Sequence, residues 1–256
     1  MSHPTIIAHL MMMLPLSACF LCAGSEEQVG GSGGPTQVVD LDHEPHHHFF
    51  FQNDKVKVYK VSVAPHTSTL VHQHDRDYAF VSLGNTEISN EVVGRAPVDL
   101  KLKDGDVAFA KGGFAHLAKN LAATPFRNVT IELLRPAADE VKHCDPAKES
   151  CDIVRSNPCV VAGIIDCATT RWIVDANDFR LTDTRIPPSL KLPKRPQPNG
   201  YLLVAITDLD LRNASYAKHK EKLQKKAGDV VWMPSGTAEW KNAGKSPARF
   251  MTLEFK

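Results

Sequence analysis

The chain contains an internal repeat, and this repeat constrains its fold more than any other feature. At the offset between Tyr78 and Tyr201, the run YAFVSL aligns with YLLVAI, and the run GDVAFAKGG from Gly105 aligns with GDVVWMPSG from Gly228. Ungapped matching over such a stretch indicates two copies of one structural unit. The segment 137–172 then connects the two copies.

Each copy consists of short apolar runs separated by turn residues. Turn pairs such as Gly84-Asn85, Asp104-Gly105 and Gly112-Gly113 supply the positive φ angles that tight connections need. The nearest candidate for a helix, Ser215–Lys226, is mostly charged. Short, evenly spaced strands predict an all-β barrel or sandwich. In the first copy the predicted strands are Val56–Val63, Tyr78–Leu83, Val98–Leu102, Asp106–Ala110 and Asn128–Leu134.

The composition limits the classes of partner. Hydrophobic residues make up 43% of the chain, charged residues make up 23%, and the net charge is +1. These are ordinary values for a globular protein. Without a basic excess, nothing in the composition predicts binding to nucleic acid.

The first copy carries a set of candidate metal ligands. His72 and His74 are two residues apart, so in a strand their imidazoles point to the same face. Asp77 follows shortly afterwards, and His116 comes just after the turn Gly112-Gly113. Three imidazoles and one carboxylate suit a divalent Fe, Mn, Zn, Ni or Cu ion and leave coordination positions open.

These residues resemble the two sequence motifs of the cupin superfamily. The second motif matches at Gly105, Gly113, His116 and Asn120, with Lys111 in the position of a proline. The first motif is represented by His72, His74 and Gly84, with His66 in the position of a glycine and Asp77 near that of the glutamate. The resemblance implies two cupin-type (double-stranded β-helix) barrels in tandem, a bicupin, with one divalent metal ion.

The second copy lacks the metal ligands. The offset of the repeat replaces His72 by Arg195, His74 by Gln197 and His116 by Glu239. We therefore predict a barrel with a metal site at 43–136 and a degenerate barrel at 173–256.

Some assignments stay open at this point. Asp77 lies one residue early and is shorter than glutamate, so it either binds the ion or orients a histidine. The tract His46–His48, with His43, is interpreted as a polar segment leading into the first strand, with metal binding as the alternative.

Cupins include dioxygenases, isomerases, decarboxylases and non-catalytic proteins, so the resemblance leaves two functions open. The first is a metal-dependent enzyme, dioxygenase-like, acting on a small oxygenated compound. The second is a non-catalytic metal- or ligand-binding protein of the cell envelope, whose pocket would be filled by Phe80, Phe109 and Phe114. We expect the barrels to pair within the chain, and a homodimer is left open.

The N-terminal segment predicts export. An apolar run precedes the tetrapeptide Leu16-Ser17-Ala18-Cys19, which resembles the lipobox of bacterial lipoproteins. We therefore predict a signal peptide at 1–18, a lipid anchor to the membrane on Cys19 and a flexible tether at 19–42, in the bacterial envelope or periplasm. A plain signal peptide cut near Gly24 is the alternative.

The cysteines agree with export. Four cysteines lie close together in the connector, which predicts two disulfides of open pairing and leaves Cys22 unpaired in the tether. These four residues are Cys144, Cys151, Cys159 and Cys167.

Overall fold

The protein is described from a computed structural model. The structure describes residues 37–137, 140–144, 153–155, 160–161, 164–165, 167–213 and 222–256. The predicted signal peptide lies outside these residues, as do Cys19, Cys22, Cys151 and Cys159. Regular structure in the described residues is almost entirely strand, together with one 3-10 turn at Leu41–His43. No helix among them is long and apolar enough to cross a membrane.

The first barrel is formed by two five-stranded sheets. Its strands are β1 (Val39–Asp40), β2 (His47–Gln52), β3 (Val56–Val63), β4 (His72–His74), β5 (Tyr78–Ser82), β6 (Thr86–Val92), β7 (Val98–Leu102), β8 (Val107–Ala110), β9 (Phe114–Asn120) and β10 (Phe126–Leu133). One sheet has the order β1, β4, β9, β6, β7, and the other has the order β2, β3, β10, β5, β8. The five strands predicted for this copy are confirmed to within two residues at each end.

The second barrel is built on a larger sheet. The remaining strands are β11 (Val141–His143), β12 (Ile153–Arg155), β13 (Val160–Val161), β14 (Ile164–Ile165), β15 (Thr169–Ala176), β16 (Phe179–Ile186), β17 (Arg195–Gln197), β18 (Tyr201–Ala205), β19 (Leu209–Asn213), β20 (Lys222–Lys225), β21 (Val230–Met233), β22 (Gly236–Ala238), β23 (Trp240–Asn242) and β24 (Ala248–Phe255). Strands β11 and β12 belong to the predicted connector and pair with β15, which extends this sheet. The segment considered for a helix contains strand β20.

The strands confirm the repeat and correct one of its details. Strands β3, β4, β5 and β8 correspond to β16, β17, β18 and β21 at the predicted offset. Beyond β21 the offset falls by one residue, because His72 pairs with His116 in the first barrel whereas Arg195 pairs with Ala238 in the second. The prediction that Glu239 replaces His116 is therefore wrong. One residue fewer precedes β22, so Ala238 takes that place.

The two barrels pack against each other within the chain, as predicted. One hydrophobic core contains residues of both barrels, and the rings of Phe109 and Phe179 lie 5.4 Å apart in it. Arg249 Nη1 also donates a hydrogen bond to the Asp104 carbonyl at 2.9 Å. Gly105 has a φ of 75°, and a Cβ there would lie 2.8 Å from the Arg249 guanidinium. This motif glycine is thus required both by its turn and by the contact between barrels.

In two turns, a residue other than glycine occupies the position of a cupin motif glycine. His66 occupies the position of a cupin glycine, and its φ is 57°. Its counterpart Ser189 has a φ of 66°. The backbone conformation that normally selects glycine is therefore kept in both copies with a side chain present.

Candidate metal centre

Three of the predicted ligands meet inside the first barrel. In β4 the burial alternates, so that His72 and His74 point inward while Gln73 is less buried. Strand β9 runs antiparallel to β4 and places His116 directly opposite His72. The donor atoms of the three histidines all lie within 4.8 Å of one another. Among the described residues, this is the one such group of possible metal ligands.

The rings converge on a common point. Ring centres lie 5.1 Å apart for His72 and His74, 4.6 Å for His72 and His116, and 5.0 Å for His74 and His116. The Nε2 atoms of His74 and His116 are 3.1 Å apart. Nitrogens at this separation either share a proton or face a common cation.

The outer nitrogens of two histidines are fixed by hydrogen-bond acceptors. His72 Nδ1 donates to the Leu70 carbonyl at 2.9 Å, and His116 Nδ1 donates to Asn90 Oδ1 at 2.6 Å. Because Nδ1 carries the hydrogen, Nε2 of each neutral ring has a free lone pair directed inward. This is the usual environment of a histidine that binds a metal ion.

Burial keeps the three histidines neutral at pH 7. Desolvation lowers the pKa of His72 to about 4 and that of His116 to about 3. It lowers the pKa of His74 well below the ordinary value, with the neighbouring histidines adding to the effect. A divalent ion would therefore displace no proton from these rings at neutral pH.

His74 has a different environment. Its ring stacks on Tyr78 at a centroid distance of 3.9 Å, and its Nδ1 is buried with no hydrogen-bond partner. An unpaired buried nitrogen is costly unless the other nitrogen gains a strong interaction. Taken with the neutral state of the three rings, this donor set fits a divalent transition-metal ion.

The structure does not bring Asp77 into this group. Asp77 Oδ1 accepts a hydrogen bond from the Gly112 backbone at 3.0 Å, and Oδ2 accepts from the Ala137 backbone at 2.9 Å and from Lys111 Nζ at 3.1 Å. The carboxylate thus ties β5 to the turn before β9 and to the chain leaving the barrel.

A fourth histidine lies in the same cavity, although the sequence placed it in a polar lead-in segment. His47, the first residue of β2, is buried and lines the cavity beside His72. The lead-in interpretation is therefore wrong for His47, whereas His48 is exposed as that interpretation requires. The sequence contained one signal for the burial of His47, namely Glu44, a hydrogen-bond acceptor three residues before the strand. Strand β2 corresponds to β15 at the offset of the repeat, but the residue opposite Thr184 there is Thr170, so the second copy gave no sign of a further histidine.

Glu44 holds His47 in place. Its side chain is fully buried and accepts hydrogen bonds from His47 Nδ1 at 2.6 Å, from His46 Nδ1 at 2.9 Å and from the Leu70 backbone at 3.1 Å. Burial opposes ionisation, but the hydrogen bonds from His47 and His46 outweigh it and lower the pKa of Glu44 to about 2. An ionised carboxylate therefore lies behind the histidine cluster.

The cavity in front of the histidines is small and mostly apolar. It encloses about 80 Å³, and its walls include Phe80, Leu100, Phe109 and Phe126. Polar groups in the lining come from the histidines, Tyr78 and a few threonine and asparagine side chains. None of the described lining residues is Lys, Arg, Asp or Glu.

The corresponding region of the second barrel is closed by an ion pair. Arg195, the counterpart of His72, donates to Glu254 Oε2 at 3.0 Å, and Glu254 in turn accepts from Thr252 at 2.9 Å. The remaining cavity there is about 30 Å³. An ion pair therefore occupies the region that corresponds to the histidine cluster of the first barrel.

The fold is that of a bicupin, with a three-histidine candidate metal centre in its first barrel. AerE from Microcystis aeruginosa is similar to the chain with a TM-score of 0.54 and 12% identity, covering 83% of this chain and 98% of that chain. A cupin 2 conserved barrel domain protein from Leptotrichia buccalis gives 0.50 and 13%, covering 81% and 87%. Oxalate decarboxylase from Bacillus subtilis gives 0.51 and 11%, covering 78% and 68%.

Identities this low show the fold alone. No protein-family model and no curated protein matches the sequence. The chain therefore has a bicupin fold, as predicted, and its chemistry has to be argued from the site.

Proposed function

We propose that the protein is a metal-dependent enzyme that acts on a small oxygenated compound in its first barrel, in the manner of a cupin dioxygenase. The observation that carries the proposal is the set of three neutral, buried imidazoles around an apolar cavity. Oxalate decarboxylase from Bacillus subtilis, which shares the fold, contains Mn(II) centres. The ion proposed for this chain is divalent Fe, Mn, Zn, Ni or Cu, held by His72, His74 and His116.

Each part of the site has a distinct task in this proposal. The inward Nε2 lone pairs of the three histidines bind the ion, and the acceptors on Nδ1 of His72 and His116 keep those rings in orientation. When bound, the ion would supply Lewis acidity toward an oxygen atom or a centre for dioxygen activation. The aromatic walls exclude water and hold the apolar part of the substrate.

The cavity restricts the substrate. A space of about 80 Å³ admits only a compact molecule. Since the three ligand histidines are neutral and none of the described lining residues is Lys, Arg, Asp or Glu, no charged side chain is present to pair with a second negative charge on the substrate. We therefore propose a compact ligand with an apolar body and one oxygen-bearing end, rather than a dicarboxylate.

The small size of the cavity also favours a second candidate, a non-catalytic protein that binds metal or ligand. Phe80 and Phe109 line the cavity, as that function predicts, and Phe114 lies with its ring 5.5 Å from that of His116. These side chains narrow the cavity without filling it. Catalysis therefore remains the first proposal.

Oxygen consumption separates the two candidates. The protein is loaded with Fe(II) and tested with a panel of small phenols and diketones, next to a His72→Ala, His116→Ala double variant. Uptake that needs both iron and one compound, and that the variant lacks, supports the enzyme. Equal uptake by both proteins across the panel contradicts the dioxygenase and favours the binding protein.

For localisation we propose export to the bacterial envelope, with Cys19 as the site of a lipid anchor. A disulfide at Cys144 and Cys167 is part of this proposal, because disulfides form in oxidising compartments outside the cytoplasm. Intact mass spectrometry of protein from the native membrane fraction tests both points. A mass without lipid, or free thiols at both cysteines, contradicts them.

A further inference from the structure

His47 faces the candidate metal site from outside the cupin motifs. Its side chain is only 5% exposed, and its ring centre lies 4.7 Å from that of His72 and 6.4 Å from that of His74. The next residue in the strand, His48, is exposed. The alternation of β2 therefore turns one imidazole of the tract into the cavity and the next one away from it.

The orientation of His47 is that of a metal ligand. Glu44 Oε2 accepts a hydrogen bond from His47 Nδ1 at 2.6 Å, so Nε2 is the nitrogen left to bind a metal ion. His72 and His116 show the same pattern, with an acceptor on Nδ1 and a free Nε2. A carboxylate behind a histidine is the arrangement that commonly orients a ligand and raises its basicity.

The separations of the His47 ring from His72 and His74 each lie within the range that one ion could bridge. Two imidazoles on opposite sides of an ion, with bonds of about 2.1 Å, have ring centres roughly 6.4 Å apart, and adjacent ones roughly 4.5 Å. His47 lies 6.4 Å from His74 and 4.7 Å from His72. The separation from His72 also matches the 4.6 Å between His72 and His116.

The motif leaves a ligand position to fill. Asp77, the nearest equivalent of the cupin glutamate, uses both carboxylate oxygens on Lys111 and on the backbone of Gly112 and Ala137. The three histidines alone would leave the ion with few protein donors. A donor atom from β2 would fill the ligand position that Asp77 does not occupy.

We propose that His47 is the fourth nitrogen ligand of this ion and that Glu44 is its positioning residue, an inference that rests on the metal site of the proposed function. His47 is not in the group whose donor atoms lie within 4.8 Å. The proposal therefore requires that the His47 ring move toward the ion when metal binds. Four imidazoles favour Cu, Ni, Zn or Fe, whereas carboxylate-rich sites favour Mn.

The number of nitrogen ligands tests this directly. The full chain is loaded with one equivalent of Cu(II), and the nitrogens are counted by electron paramagnetic resonance, with affinity measured by competition against a chelator. We expect four imidazole nitrogens in the wild type, and three in His47→Ala with at least tenfold weaker binding. Glu44→Gln should weaken binding by about 10- to 100-fold. His48→Ala, the matched control on the same strand, should change neither quantity.

His47→Gln, which fills the same space, replaces His47→Ala if the alanine variant does not fold. Three nitrogens in the wild type, or unchanged nitrogen count and affinity in the His47 variant, would overturn the inference while leaving the three-histidine site intact. A wild-type protein that binds no copper would instead refute the proposed metal site itself, and His47 with it.

Discussion

Mild acid should destabilise the metal-free protein through its buried histidines. In the unfolded chain each histidine takes up a proton near its ordinary pKa of 6.5, whereas burial holds the folded pKa of His72 at about 4 and that of His116 at about 3. Since the folded pKa values are lowered, their contribution to stability is complete above pH 6.5 and is lost as the pH falls. Each such histidine costs about 1.4 kcal/mol per pH unit in that range.

The expected loss follows from this slope. Because the unfolded histidines are already half protonated at pH 6.5, each of the two lowers the free energy of unfolding by about 1.5 kcal/mol between pH 6.5 and pH 5, so the pair lowers it by about 3 kcal/mol. This pH range lies above the one in which carboxylates such as Glu44 become protonated in the unfolded chain. The histidines therefore dominate the pH dependence there.

Urea denaturation in the presence of a chelator, followed by circular dichroism at several pH values, measures this effect. Between pH 6.5 and pH 5, the double variant His72→Gln, His116→Gln should lose about 2 kcal/mol per pH unit of the wild-type slope, even if its absolute stability differs. His48→Gln, at an exposed position, should keep the wild-type slope. Equal slopes for the wild type and the double variant would refute the reasoning.

Three further substitutions test the roles that the structure assigns to Asp77, Asn120 and His66. Asp77→Ala should keep one metal ion per chain by elemental analysis but lower the free energy of unfolding by about 1–3 kcal/mol, because it leaves the Gly112 and Ala137 amides without their acceptor; loss of the ion would instead show that Asp77 is a ligand. Asn120→Ala should lower stability by about 2 kcal/mol or more, since its buried amide donates to the Val63 and Thr124 carbonyls; an unchanged melting temperature would contradict this role. His66→Gly should be about 1 kcal/mol more stable than His66→Ala in thermal denaturation, because both remove the side chain and only glycine relaxes the positive φ; equal stabilities would argue against strain there.

Much of the fold was predictable because the sequence pattern of one barrel occurs twice in the chain. The alternating burial of β3 and the tight turn at Gly105 are local features, and their recurrence in β16 and at Gly228 confirmed that one architecture underlies both copies. Among the strands of the first barrel that escaped prediction, β6 and β9 carry polar residues instead of an alternating apolar pattern.

The candidate site was predictable only in part. His72, His74 and His116 were found from spacing, because β4 and β9 are adjacent and in register. The environment of Asp77 depends on where Ala137 returns past the barrel mouth, and the burial of His47 depends on how β2 pairs with β3. Such contacts between distant segments cannot be derived from residue spacing.

The central claim is that the first barrel holds one divalent metal ion and the second holds none. The most direct test is elemental analysis of the purified full chain after incubation with Fe(II), Mn(II) or Zn(II) and removal of excess ion, compared with the His72→Ala, His116→Ala double variant. The account predicts about one ion per wild-type chain for at least one metal and none for the variant. Equal metal content in the two proteins would contradict it.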